Sequence, residues 1–214
     1  MTNQYHLIIG NKNYSSWSMR GWLTMDMVGA KFTETVVPLF RDDTASILKS
    51  LSTAPARVPV LKHGDRLIWD SLAIVEYMYE QYPRSGLWPM DQDKRATARC
   101  LCAEMHSSFA AIRSVVPMNI RGRRTITPSS YLMSDINRIK EIWSECLEKH
   151  EGPFLFGEYC AVDIFFAPVV TRLRTIEFDC GELQSYCDAV LSHLSVKKWC
   201  DDGEGESWII ESSE

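Results

Sequence analysis

Residues 58–82, VPVLKHGDRLIWDSLAIVEYMYEQY, decide the fold class. Val58-Pro59-Val60-Leu61 and Leu67-Ile68-Trp69 flank a polar turn with His63, Gly64 and Asp65, the pattern of a β-hairpin. Asp70 and Ser71 follow directly and open a helix. Ile74, Val75, Met78 and Tyr82 recur at helical spacing, and Pro83 stops the run.

Toward the N-terminus, Tyr5–Ile9 is a short apolar run ended by Gly10, which reads as a buried strand. Asn11-Lys12-Asn13 reads as loop. Ser15, Ser16 and Ser18 then precede Trp22, Leu23, Met25 and Met27, with Gly29 behind them; the serines are N-cap signals and the glycine a C-cap signal. Thr33–Leu39, rich in β-branched residues and closed by Pro38, reads as a second strand. Ala45–Leu51 reads as a short helix, broken by Thr53–Arg57 with Pro55 inside. The order is β-α-β-α-β-β-α.

Toward the C-terminus the character changes. Residues 84–93, RSGLWPMDQD, read as a linker. Lys94–Val116 is helical in pattern, with Met105, Phe109 and Ile112 on one stripe. Ser130–His150 sets Leu132, Ile136, Ile139, Trp143 and Leu147 on one face, and Val162–Ile176 and Leu183–Leu194 are two more helices. No strand pattern occurs there. The expectation is an α/β domain over 1–83, a linker over 84–93 and an all-helical domain over 94–214 with an acidic tail.

Composition narrows the function classes. Of 214 residues 45% are hydrophobic and 24% charged, which excludes a disordered chain. A net charge of −5 argues against a nucleic-acid partner. Asp201–Glu214 holds six acidic and no basic residues and reads as a solvated end. Arg121, Arg123 and Arg124, the one dense basic cluster, read as a solvated loop. The longest apolar run, Ile164–Val170, is too short for a bilayer, and MTNQYHLIIG has neither the basic start nor the apolar core of a signal peptide. A cytosolic protein without membrane contact is expected.

The seven cysteines, Cys100, Cys102, Cys146, Cys160, Cys180, Cys187 and Cys200, are odd in number and contain no CxxC pair. They read as reduced thiols, not as a disulfide framework, zinc knuckle or dithiol centre. None lies before residue 100, so thiol chemistry in the first 99 residues needs a sulfur brought by a ligand. The five histidines lack metal-ligand spacing, and no GxGxxG, Walker loop or GxSxG elbow is present. Asn13-Tyr14-Ser15 matches a glycosylation acceptor, an accidental match in a protein that is not secreted.

Three places in the first domain carry chemical promise. At Tyr14-Ser15-Ser16-Trp17-Ser18 a strand gives way to a helix. Serines there most often only cap the helix. A hydroxyl in the positive field of a helix N-terminus can also donate to a thiolate, and a fall of ~1–2 units from ~8.5 makes most of a thiol anionic at neutral pH. Val58-Pro59 reads from the residues alone as a trans bond, since cis accounts for about 5–6% of such bonds. A cis bond would turn the Val58 N–H and C=O outward, to pair with an extended peptide. Asp70-Ser71 is an N-cap; its free N–H groups and the Ser71 hydroxyl would also suit a carboxylate, and the Asp70 carboxylate an adjacent ammonium group.

These three in this order resemble the cytosolic glutathione transferase superfamily, over nearly the whole chain. Ser15-Ser16-Trp17-Ser18-Met19-Arg20 resembles the serine-type active-site segment of the zeta and related bacterial classes. Val58-Pro59-Val60-Leu61 and Asp70-Ser71-Leu72-Ala73-Ile74 match two further family motifs. Gly157–Asp163 resembles the family's helix-capping segment with its buried aspartate. The resemblance implies a thioredoxin-like N-terminal domain and a C-terminal helical bundle. It implies that Ser15 stabilises the thiolate of glutathione, with Tyr14, Ser16 and Ser18 as rival hydroxyls. Val58 would pair with the cysteinyl backbone, Pro59 would be cis, and Asp70 and Ser71 would hold the γ-glutamyl head. Ser16, Trp17 and Arg57 are further contacts to glutathione.

Two departures stand out. Trp17 replaces the cysteine of zeta enzymes, which counts against maleylacetoacetate isomerisation. Cys160 replaces the usual Ser/Thr cap, a change worth ~1 kcal/mol at that helix start. The expected activity is conjugation of glutathione, as co-substrate, to a small hydrophobic electrophile in a cytoplasmic homodimer, with no metal. Met105, Phe109, Met118 and Asn119 are the candidate lining of the electrophile's pocket, the first two doubling as core. The alternatives are a glutathione-dependent isomerase or peroxidase on the same site, or a glutathione-binding protein without turnover.

Overall fold

The computed structural model describes residues 4–51 and 56–214; of the breaker read over Thr53–Arg57, residues 53–55 lie outside them. The chain runs β1 (Tyr5–Gly10), α1 (Ser16–Met27), β2 (Phe32–Val37), α2 (Thr44–Leu51), β3 (Val60–His63), β4 (Arg66–Trp69) and α3 (Ser71–Gln81). The four strands form one mixed sheet in the order β2-β1-β3-β4. β1 pairs parallel with β2, Tyr5 opposite Phe32, and antiparallel with β3, Tyr5 opposite His63; β3 and β4 make the hairpin. This is the thioredoxin-like arrangement.

β1 reads as a continuous apolar run because both faces of the sheet are covered. Leu7 and Ile9 pack with α1 and α3, while Ile8 faces the other way, with Val37, Val60 and Leu48 of α2. Alternate residues thus serve different layers.

The second half is helical: α4 (Gln92–Ser107), α5 (Ala110–Val115), α6 (Ser130–Lys149), α7 (Ala161–Thr175), α8 (Gln184–Ser192) and α9 (Leu194–Glu204), with single 3₁₀ turns before α8 and at the end. α7 is the buried axis and packs on α1, α4 and α8. Its start is held by Asp163, which accepts the N–H of Cys160 at 2.9 Å and of Leu155 at 3.1 Å, and the Tyr186 hydroxyl at 3.2 Å. The Asp163 carboxylate therefore closes this helix end from inside.

Four expectations change. The helix read over Lys94–Val116 is two, because Ser108 is extended and Phe109 takes φ 63°, and α5 starts afresh. The helix read over Leu183–Leu194 ends at Ser192, and α9 follows it. The tail is exposed along most of its length, as expected, but it is tied down. Glu206 accepts the backbone N–H of Lys12 at 2.6 Å and of Asn13 at 3.1 Å, and Asp202 pairs with the Lys12 ammonium at 2.7 Å. Nor are all the arginines solvated. Arg121 donates to the Trp208 carbonyl at 2.8 Å and Arg124 to the Glu214 carbonyl at 2.9 Å. The acidic tail and the basic loop are partners, and together they clasp the loop before α1.

Candidate active site

β1 delivers the chain into the turn Asn11–Tyr14, and Ser15 caps α1. Ser15 Oγ accepts the Ser18 N–H at 3.3 Å and lies 2.8 Å from Ser18 Oγ, which itself accepts the Gly10 N–H at 2.9 Å. Ser18 is fully buried, and its oxygen is committed to the strand. When the Ser18 hydroxyl points at Ser15, the Ser15 proton is free to donate outward. Ser15 faces a cleft of about 1080 Å³, and so do Trp17, Arg57, Val58, Pro59, Asp70 and Ser71. Loop residues and α2 make the opposite wall, through Phe40, Arg41 and Leu48.

The Val58–Pro59 bond is cis. That agrees with the resemblance and overturns the trans reading of the residues alone. Gly21 of α1 lets the helix approach this turn: a Cβ there would meet Pro59 Cγ at 3.0 Å. Val58 itself lies outside β3, so its peptide groups do not belong to that strand's ladder.

Asp70 takes φ 73°, a strained conformation for a residue with a side chain, of order 1–3 kcal/mol. Its carboxylate accepts the Leu72 N–H at 2.8 Å and so caps α3. The Ser71 hydroxyl is completely buried and has no hydrogen-bond partner among the described residues. An unpaired hydroxyl on the first turn of a helix, beside the cleft, suits a carboxylate ligand.

Other expected residues fall elsewhere. Ser16 does not line the cleft; its hydroxyl accepts from Arg172 of α7 at 3.2 Å. Tyr14 also points away, bonded to Glu214 and to Arg121 at 2.7 Å. Met105, Phe109, Met118 and Asn119 are buried, and none lines the cleft. Asn119 instead fastens the loop, accepting the Asn13 side-chain amide at 3.0 Å. Asn13 is fully buried, which removes it as a glycosylation acceptor.

One cleft residue was not singled out from sequence. His106, at the end of α4, lines the cleft with Nε2 3.3 Å from the Asp70 carboxylate and its ring edge-on to Trp17 at 5.0 Å. Burial, then the nearby cations Arg20 and Arg113, push it below the ordinary imidazole value against the pull of Asp70. The contact to Asp70 is a close approach of imidazole and carboxylate. Behind Trp17, Arg20 is wholly buried between the Trp17 and Phe165 rings, 4.9 and 4.7 Å from their centres. Burial and the neighbouring Arg113 and Arg172 hold it well below the ordinary guanidinium value. Nothing local in the sequence connects His106 to Asp70; the domain packing does.

Comparison with known proteins agrees with this architecture. Residues 14–81 match the family described as the N-terminal domain of glutathione S-transferase. The chain is 27% identical over 195 residues to glutathione S-transferase 1 of Dianthus caryophyllus, covering 87% of each chain. It is 23% identical over 186 residues to a probable maleylacetoacetate isomerase of Caenorhabditis elegans, covering 84% of each. A glutathione transferase homologue from Burkholderia GL BGR1, solved with bound glutathione, superposes with a TM-score of 0.71 at 22% identity. That likeness covers 96% of this chain and 100% of the other. Residues 14–81 thus match the glutathione S-transferase N-terminal domain, and over most of its length the chain is similar to glutathione transferases in sequence and in fold.

Proposed function

We propose that this chain is a glutathione transferase that binds the tripeptide in the cleft and conjugates its sulfur to small hydrophobic electrophiles. The observation that carries the reading is the convergence of Ser15, the Val58–Pro59 turn and Asp70-Ser71 on one cleft. The unpaired Ser71 hydroxyl and the first-turn N–H groups of α3 take the γ-glutamyl carboxylate, and Asp70 takes its ammonium group. Val58 pairs with the cysteinyl backbone, and Arg57 and Trp17 flank the rest. Ser15, backed by Ser18, donates to the sulfur and favours the thiolate. The thiol proton leaves to solvent; the sulfur then forms the carbon–sulfur bond as the electrophile's leaving group departs with its electron pair. The gain comes from a preformed anion and from proximity.

We place the protein in the cytoplasm as a homodimer with a role in detoxification. A second reading, glutathione-dependent isomerisation, draws on the nematode relative; Trp17 in place of the zeta cysteine sets it second. The test is retention on immobilised glutathione followed by an aryl-halide conjugation assay. Retention with turnover is expected. Retention without turnover moves the reading to isomerisation or to binding alone. No retention, with Ser71→Ala behaving as wild type, removes the glutathione assignment.

A further inference from the structure

A second cavity, of about 480 Å³, lies where α7 hands over to α8, and it shares no lining residue with the cleft. Cys180 and Cys187 both line it. Their sulfurs are 3.6 Å apart, and the Cys187 S–H donates to Cys180. Both are free thiols. Among the described residues no other two cysteines approach within hydrogen-bonding distance of each other. A disulfide needs an S–S separation of about 2.0 Å, so closing the pair asks for an approach of roughly 1.5 Å. Cys180 sits in the turn Glu177–Gly181, whose ends both have positive φ, 51° and 61°, and Cys187 sits in α8. The approach therefore involves a turn meeting a helix, not two packed helices.

The two thiols are not equivalent. The hydrogen bond from Cys187, with help from Lys140, favours the anion on Cys180 against burial and the charges of Asp179 and Asp188. The same hydrogen bond, with burial, pushes Cys187 up. One sulfur is poised to attack and its neighbour to resolve. Each is only 3% exposed, so access is through the cavity and limited to a small reagent.

We propose that Cys180 and Cys187 form a reversible disulfide-forming site whose oxidant is a small hydroperoxide. The Cys180 thiolate attacks one peroxide oxygen. An S–O bond forms as the O–O bond breaks, and the departing hydroxide takes up the proton that Cys180 released. Cys187 then attacks the Cys180 sulfenic acid. The S–S bond forms, the S–O bond breaks, and hydroxide leaves with the Cys187 proton as water. Two thiols and one hydrogen peroxide thus give one disulfide and two waters.

The folded full chain is exposed to equimolar hydrogen peroxide, quenched, denatured, alkylated and digested with trypsin. Thr175–Lys197 is a single tryptic peptide that holds Cys180 and Cys187 and no other cysteine. The expected product is this peptide without alkyl groups and about 2 Da lighter, returning to the dialkylated form after dithiothreitol. In Cys187→Ser, Cys180 should stop at a sulfenic acid that dimedone captures. The proposal is overturned if the peptide stays dialkylated while the exposed Cys100 is oxidised. It is equally overturned if the bridged peptide arises only in urea. The wild-type measurement decides the matter even where the serine variant fails to fold.

Discussion

Ser71→Ala separates binding from folding. The Ser71 hydroxyl is fully buried without a partner among the described residues, while the cap of α3 is carried by Asp70 through the Leu72 N–H. A buried hydroxyl left unpaired costs about 1–3 kcal/mol in desolvation. The alanine variant sheds that cost and keeps the cap. The ligand-free protein should therefore equal the wild type in stability or exceed it by about 1 kcal/mol, a rise in Tm of about 2–4 °C for a chain of this size. Affinity should move the other way. A hydroxyl donating to a carboxylate contributes about 1.5–3 kcal/mol, so Kd for glutathione should rise roughly 10- to 150-fold. Titration calorimetry with glutathione and thermal unfolding without it measure the two effects. Lower stability in the ligand-free variant with unchanged affinity would refute the reasoning, since Ser71 would then be a structural cap and the γ-glutamyl head would bind elsewhere.

Ser15→Ala should lower kcat/KM for an aryl halide about 10- to 100-fold near neutral pH, and shift the acid limb of the pH profile up by about 1–2 units, with glutathione affinity little changed. An unmoved limb would transfer the role to another donor. Glu206→Ala leaves the N–H groups of Lys12 and Asn13 without their carboxylate; urea unfolding should show a loss of about 2 kcal/mol or more, and an unchanged midpoint would mean the tail is not a clasp. Burial lifts Asp163 from 3.8 to about 6. Because the folded value is the higher one, its contribution to stability is present below about pH 4 and is lost as pH rises through about 6. Urea midpoints of the wild type relative to Asp163→Asn should fall across that window, by about 3 kcal/mol at most, and a flat difference would count against the shift.

The parts of the fold legible in sequence are those whose signals are local. β1 shows as an apolar run because both its faces are covered, and β3, β4 and α3 show because hairpin, cap and helix follow one another without interruption. Ser15, Val58-Pro59 and Asp70-Ser71 are legible for the same reason: each sits at a junction where chain geometry demands particular residues. Phe109 misled because its apolar side chain continues the stripe of α4, while its backbone, at φ 63°, ends the helix. The tail misled because, apart from Asp201, which pairs with Lys197, its carboxylates have no base close in sequence. Lys12, Arg121 and Arg174, which pair with Asp202, Glu214 and Glu204, lie far back in the sequence, so the charge pattern looks solvated until the chain is folded.

The same contacts explain why a serine in a family motif is also a positioned one. The Asn11–Ser15 turn is held from three directions. The Ser15 N–H donates to the Asn11 carbonyl at 2.8 Å, Ile120 N–H donates to the Asn13 carbonyl at 3.2 Å, and Glu206 holds the N–H groups of Lys12 and Asn13. Ser18 ties the first turn of α1 to Gly10 of the sheet. On the proposed reading, a donor fixed before the substrate arrives need not reorganise when charge develops on the sulfur, and that is where its stabilisation of an anion is greatest. Tyr14 shows the division of labour. Its phenol, one residue from Ser15, turns to Arg121 and Glu214 and fastens the turn from behind, so that the neighbouring hydroxyl faces the cleft.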